Sequence, residues 1–291
     1  NYNVKRAVQL GLPVEKALQM ATIQPARCYG LYQLGMIAPG RQADFVILDN
    51  VTDLNVVDVY HCGKRVIRDE KVEVKPCPPH LKNTVHVSGF SEERLKLKHP
   101  GGKAHVIQML EKQIVTSDVV EEVPWKVLDG EKYFVPDGEY QKIAVIERHK
   151  NTGKMGVGIV KGYGIRGGAI ASSVSHDSHN IIVVGDNDRD MALAVKEMMR
   201  TQGGYTLVRD GEIYGTLPLP VMGLMSDAGY ESVNEALAKM IPKAHEMGVK
   251  DGFDPFITLS FMALPVIPEI RITPRGIYLV KEDRMLRTPF C

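Results

Sequence analysis

Ala21-Thr-Ile-Gln-Pro-Ala26, Gly35-Met-Ile-Ala-Pro-Gly40 and Ala43-Asp-Phe-Val-Ile-Leu-Asp49 decide how the first part of this chain is read. Pro25 fixes φ and restarts a short helix from Gln24 to Tyr29, which Gly30 stops. Pro39-Gly40 turns the chain. Phe45-Val-Ile-Leu48 is then apolar on successive residues, the pattern of a strand buried on both faces. Upstream, Val4 to Leu10 and Val14 to Ile23 repeat apolar residues at helical spacing, separated by Gly11-Leu-Pro13. This amphipathic pair is expected either to cover the Phe45–Leu48 region or to leave a large apolar face open. Downstream, Val56 to Tyr60 and Lys64 to Ile67 flank Cys62-Gly63 as a β-hairpin.

The stretch from Pro76 to Gly102 breaks every periodic pattern with proline and glycine, and Glu92 to His99 is mostly charged. A second domain is expected from about Ala104. Its strands are read at Gln141–Glu147, Met155–Lys161, Ala169–Val174 and Ile181–Val184. Asp188 to Gln202 is a helix with an apolar stripe of Met191, Leu193, Ala194, Met198 and Met199. Asp210-Gly211 joins Tyr205–Arg209 to Glu212–Thr216 as a two-residue hairpin. A helix from Ser232 to Met247 contains Pro242, which is expected to kink or split it. Glu269–Ile272 and Gly276–Val280 close the ordered part as strands. Helices, hairpins and buried strands are mixed, so the fold class is α+β.

Composition narrows the function classes. Of 291 residues, 44% are apolar and 24% charged, which speaks against disorder or a coiled coil. Thirty-six basic residues nearly cancel 35 acidic ones, so a net charge of +1 offers no long-range pull on nucleic acid or an acidic membrane surface. The longest apolar stretch, Phe261 to Ile267, contains a proline and falls far short of the roughly 18 residues of a membrane span. Four cysteines without a C-x-x-C pair read as reduced thiols of a cytoplasmic protein. The chain opens on Asn1, already in helical pattern, and reads as a piece of something longer.

With Tyr29-Gly-Leu31, the opening stretches resemble the end of an amidohydrolase-superfamily enzyme, where the last barrel helices lead into a small β-sandwich. Lys161-Gly-Tyr-Gly164, Gly167-Gly-Ala-Ile-Ala171, Ser175-His-Asp-Ser-His-Asn180, Leu217-Pro-Leu-Pro-Val221 and Phe253 to Pro268 resemble the additional C-terminal domain of microbial adenine deaminases. The resemblance implies the end of a (β/α) barrel over residues 1–34, a β-sandwich segment over 35–80 and an additional α+β domain over 81–291. It implies hydrolysis of adenine to hypoxanthine and ammonia by a water activated on a divalent metal, manganese or iron. The implied setting is purine metabolism in a cytoplasmic homo-oligomer, with adenine as substrate and the N-terminal barrel portion as the partner of this chain. That family holds its metal with an H-x-H pair, which this sequence lacks, so no metal ligand carries over. No metal is expected on this chain, and the chain alone is expected to be inactive. The alternatives are a non-catalytic binding or scaffolding module, or an amidohydrolase acting on another purine-like base.

His176, Asp177, Ser178 and His179, just before the strand Ile181–Val184, form the candidate catalytic loop. Two imidazoles and a carboxylate can move protons or hold a metal. On an extended chain the two histidines point to opposite faces, so a shared ligand requires a turn there. The competing reading is a hydrogen-bonded loop that pins two strands. Asp188 in Gly185-Asp-Asn-Asp-Arg-Asp190 reads as a helix N-cap rather than a cation ligand. Gly162-Tyr-Gly164 and Gly167-Gly168 read as tight turns, since no lysine-serine pair or helix follows as in a phosphate loop. Arg94, Lys96, Lys98, His99, Lys103 and His105 read as a solvated basic loop, and the Met- and Leu-rich stretches 217–225 and 256–267 as core. Cys62 and Cys77 could be nucleophiles only with a base brought to them by the fold.

Overall fold

The computed structural model describes residues 1–66 and 76–291, which divide into two compact units, Asn1–Lys75 and Pro76–Cys291. Ile67, the expected end of the first hairpin, lies outside the described residues.

In the first unit, α1 (Tyr2–Gln9), α2 (Val14–Ala21) and α3 (Ile23–Cys28) precede β1 (Phe45–Leu48), β2 (Val56–His61) and β3 (Lys64–Val66), which form one antiparallel sheet in that order. Cys62 and Gly63 both take positive φ, 50° and 74°, as a two-residue type I′ turn requires. The expectation of a doubly buried β1 is corrected: Val46 is 53% exposed and Ile47 43%. Within this unit β1 has β2 on one side and little cover on its faces. The helices likewise bury only Ala17 and Ala26, leaving Leu10, Met20, Tyr29 and Tyr32 open.

The second unit runs β4 (Ala104–Met109), β5 (Thr116–Glu121), β6 (Trp125–Leu128), β7 (Glu131–Phe134), β8 (Tyr140–Ile146), β9 (Met155–Lys161), β10 (Gly168–Ser172), β11 (Ile181–Gly185), α4 (Asp188–Thr201), β12 (Gly204–Arg209), β13 (Glu212–Pro218), α5 (Tyr230–Glu246), α6 (Ile257–Ser260), β14 (Ile270–Thr273), β15 (Gly276–Leu279) and β16 (Arg284–Leu286). Eight strands make one sheet in the order β13-β12-β10-β11-β8-β9-β4-β5. Every neighbouring pair is antiparallel except β4 and β9.

Alternation along the central strands creates two different faces. Ile143, Val145, Ile170, Ile182, Val184 and Leu207 pack with Met240 and Ala244 of α5, with Met247 just after it, with Phe253 and Phe256, and with β14–β15. Ala144, Ala169, Ala171, Ile181 and Val183 pack with Met191, Ala194, Val195 and Met198 of α4 and with Leu95. The small residues on the second face let α4 lie close to the sheet. Both faces are covered, so β8, β10 and β11 are buried at every position, Gln141 and Lys142 of β8 included. Each large aliphatic side chain so placed contributes about 1.5–3 kcal/mol.

Three local expectations change. Asn187, not Asp188, caps α4, its side chain accepting the Asp190 N–H at 2.8 Å. Asp188 instead pairs with Lys142, whose buried ammonium needs a counter-charge. Helix α5 runs through Pro242 without splitting, at the expense of one main-chain donor. His99 and His105 are buried rather than solvated, His105 because its ring meets the Asp118 carboxylate at 2.9 Å. The stretches around Leu217 and Phe256 are core, although Met222, Met225 and Val266 stay exposed.

Candidate active-site loop

Residues 173–180 connect β10 to β11, which pair antiparallel from Ala169↔Gly185 to Ser172↔Ile182. Serine hydroxyls fix the start of the connection. Ser172 Oγ accepts the Val174 N–H at 2.9 Å, and Ser173 Oγ accepts the Gly204 N–H at 2.7 Å while donating to the Gly223 carbonyl at 2.6 Å. The His176 N–H then bonds the Ser260 carbonyl at 2.8 Å, and the His179 N–H returns to the Ser175 carbonyl at 2.6 Å. That return closes a tight turn with His179 in the left-handed region, φ 50°.

The turn brings together what an extended chain would separate. The His176 and His179 rings meet edge to face with centroids 5.4 Å apart, and His176 also lies against Phe261 at 4.9 Å. Asn180 donates to Ser178 Oγ at 3.0 Å, leaving the Ser178 hydroxyl hydrogen free to donate.

Arg148 supports the turn from below. It is 1% exposed, and its guanidinium donates to the carbonyls of His179, Met222 (3.0 Å) and Thr84 (3.4 Å). No carboxylate pairs with it among the described residues. Burial alone brings its pKa down to about 10, so it stays a cation. His149 Nε2 lies 2.6 Å from the Ser178 carbonyl. Next to it, burial pushes the Glu147 carboxyl up, but the Thr152 and Lys150 amides, the Thr152 hydroxyl and the His149 amide prevail and hold it at about 2.

A cavity of about 470 Å³ is lined by Thr84, His86, Arg148, His149, Asp177, Ser178, His179, Met222 and Leu224. A second, of about 810 Å³, is lined by Asp177, Ser178 and Asn180 together with Glu147, Lys154, Arg275, Tyr278 and the apolar stretch Ala263–Val266. Asp177 and Ser178 therefore border both. The sequence singled out the loop but missed Arg148, His149 and His86; the Glu147-Arg148-His149-Lys150 run at the end of an apolar strand was the available signal.

Burial lowers the pKa of His179, with His176, Arg148 and His149 adding to the effect and Asp177 opposing it, which favours the neutral ring. Among the described residues its Nδ1 is buried without a hydrogen-bond partner, as are Ser175 Oγ and Thr84 Oγ1. A buried polar atom that stays unpaired costs about 1–3 kcal/mol. The loop does not fit a hydrolytic metal by itself. A catalytic zinc-type site needs three protein ligands. Among the described residues the trio of ligand atoms within 4.8 Å of one another is Asp44, His61 and Cys62, all exposed, where the start of β1 meets the β2–β3 turn of the first unit.

Residues 2–75 match the amidohydrolase family, and residues 113–284, more than half of the chain, match the adenine deaminase C-terminal domain. The chain belongs to the adenine deaminase C-terminal domain family. It is 51% identical to the adenine deaminase of Desulfitobacterium hafniense (strain Y51) over 99% of its own length and 50% of that protein. Against the adenine deaminase of Nitratidesulfovibrio vulgaris (strain DP4) it is 43% identical, over 96% of the chain and 49% of the relative. Against that of Petrotoga mobilis it is 39% identical, over 97% and 50%. The chain thus spans about half the length of the curated relatives it matches.

Proposed function

We propose that the protein carrying this chain is an adenine deaminase: water replaces the 6-amino group of adenine, giving hypoxanthine and ammonia. The observation that carries this reading is the 51% identity to an adenine deaminase across 99% of the chain. Residues 1–34 are read as the last barrel helices, 35–80 as a β-sandwich segment and 81–291 as the additional domain. The divalent metal, manganese or iron, is assigned to the N-terminal barrel portion of the longer protein. A homo-oligomer in the cytoplasm, serving purine metabolism, completes the proposal. Among the described residues no helix is long and apolar enough to cross a membrane.

For this chain the proposal gives the loop a part in handling the base. Asp177, exposed between the two cavities, is suited to accept an N–H from an aminopurine edge. Ser178 can donate its hydroxyl hydrogen, and His179 supplies a neutral imidazole.

The test compares the longer protein with the 291-residue chain, following ammonia and hypoxanthine. Release by the longer protein, and none above background by the chain alone with added manganese or iron, is expected. Turnover of another purine-like base in place of adenine, or binding without ammonia release, would overturn the reading.

A further inference from the structure

The fold supplies the base that the sequence could not show beside Cys62. At the β2–β3 turn, Cys62 Sγ lies 3.6 Å from His61 Nε2, and Nδ1 of the same ring lies 3.1 Å from Asp44 Oδ1. The β1–β2 register, Phe45↔Tyr60, sets Asp44 opposite His61. Asp44 is itself held: its Oδ1 accepts the Cys62 N–H at 2.7 Å and its Oδ2 accepts from Gln42 at 2.8 Å. The turn is tied down further by the Gly63 N–H, which bonds the Ala43 carbonyl at 2.8 Å. The Cys62 amide, with Gln42 and His61, keeps the Asp44 carboxyl below its ordinary value against desolvation, so its charge persists. A carboxylate at Nδ1 favours the tautomer that leaves the Nε2 lone pair to the thiol. Among the described residues, Cys28, Cys77 and Cys291 have no imidazole in such a position.

We propose that Cys62 is a reactive thiol, modified by small disulfides, with His61 as its base and Asp44 orienting the ring. The Sγ proton passes to His61 Nε2 as Sγ attacks one sulfur of the disulfide. The new Sγ–S bond forms as the old S–S bond breaks. The departing thiolate takes the proton from the imidazole and leaves as a thiol, so the disulfide is the oxidant and Cys62 ends in a mixed disulfide. The inference is independent of whether the longer protein deaminates adenine.

The test treats the 291-residue chain with an aromatic disulfide at neutral pH and follows each cysteine by mass spectrometry. Cys62 should react at least about tenfold faster than Cys28 and Cys291, which are also exposed. His61→Asn should bring it down to their rate, and Asp44→Asn part of the way, with the circular dichroism of His61→Asn unchanged. Equal rates in the unaltered chain, or a Cys62 rate untouched by His61→Asn, would overturn the proposal. So would a thiol that reacts only after a chelator strips bound zinc, because the trio would then be a metal site.

Discussion

The guanidinium of Arg148 donates its Nε–H to the main-chain carbonyl of His179, across 31 residues of sequence. A buried cation thus holds the backbone of the very residue whose Nδ1 has no hydrogen-bond partner among the described residues. The guanidinium acts on carbonyls and does not engage the rings of His176 and His179.

Removing that support should be expensive. Arg148→Ala leaves the carbonyls of His179, Met222 and Thr84 without their donor and opens a void. We expect a loss of about 3 kcal/mol or more in chemical denaturation. A loss under about 1 kcal/mol would mean that water replaces the guanidinium at little cost.

His179→Asn separates architecture from chemistry. Asparagine tolerates the left-handed backbone at φ 50° better than most residues, so the turn should survive. In the longer protein we expect turnover to fall at least about tenfold with the melting temperature almost unchanged. If His179→Asn and His176→Asn both melt early but keep their turnover number, the loop is architecture.

Glu147 should mark the acid limit of the loop's support. Its folded pKa, about 2, lies below the ordinary 4.5, so its contribution is fully present above about 4.5 and is lost as pH falls towards 2. The protection of the His149, Lys150 and Thr152 amides, exchange measured against the intrinsic rate at each pH, should fall across that window. Glu147→Gln should show fast exchange at neutral pH and no further step on acidification.

Gly156 tests the packing of the small sheet on the large one. A Cβ there would sit 2.1 Å from the Thr273 carbonyl oxygen and 2.9 Å from the Gly276 nitrogen, both backbone atoms. Gly156→Ala should therefore cost about 1–3 kcal/mol, read as a lower denaturation midpoint. An unchanged midpoint would show that the Thr273–Gly276 turn moves aside freely.

Sequence legibility followed burial. Strands β8, β9, β10 and β11 and helix α4 were readable because both faces of the central sheet are covered, which leaves apolar runs and a clean helical stripe. Strands β4 to β7 were missed; in β4 and β5, His105, Gln108, Thr116 and Asp118 interrupt the apolar pattern, and the bonds of His105 to Asp118 and of Thr116 to the Ile270 carbonyl cross 13 and 154 residues. The His176–His179 loop showed itself as a dense local cluster. The charged run at 147–150 marked the position of Arg148 but not its role, because its partners lie 31, 64 and 74 residues away.

The single parallel pairing has a kinetic side. β8 and β9 form a local hairpin, as do β12 and β13, and each can close early. β4 must instead find β9 from the far side of that hairpin, with Ile107 meeting Val160. Until it docks, β9 presents a bare edge of unpaired amides and carbonyls beside apolar side chains. The β4–β5 ribbon is therefore expected to dock after the β8–β9 hairpin, and once docked it covers that edge. A change that slows its arrival prolongs the interval in which two nascent chains can pair through β9.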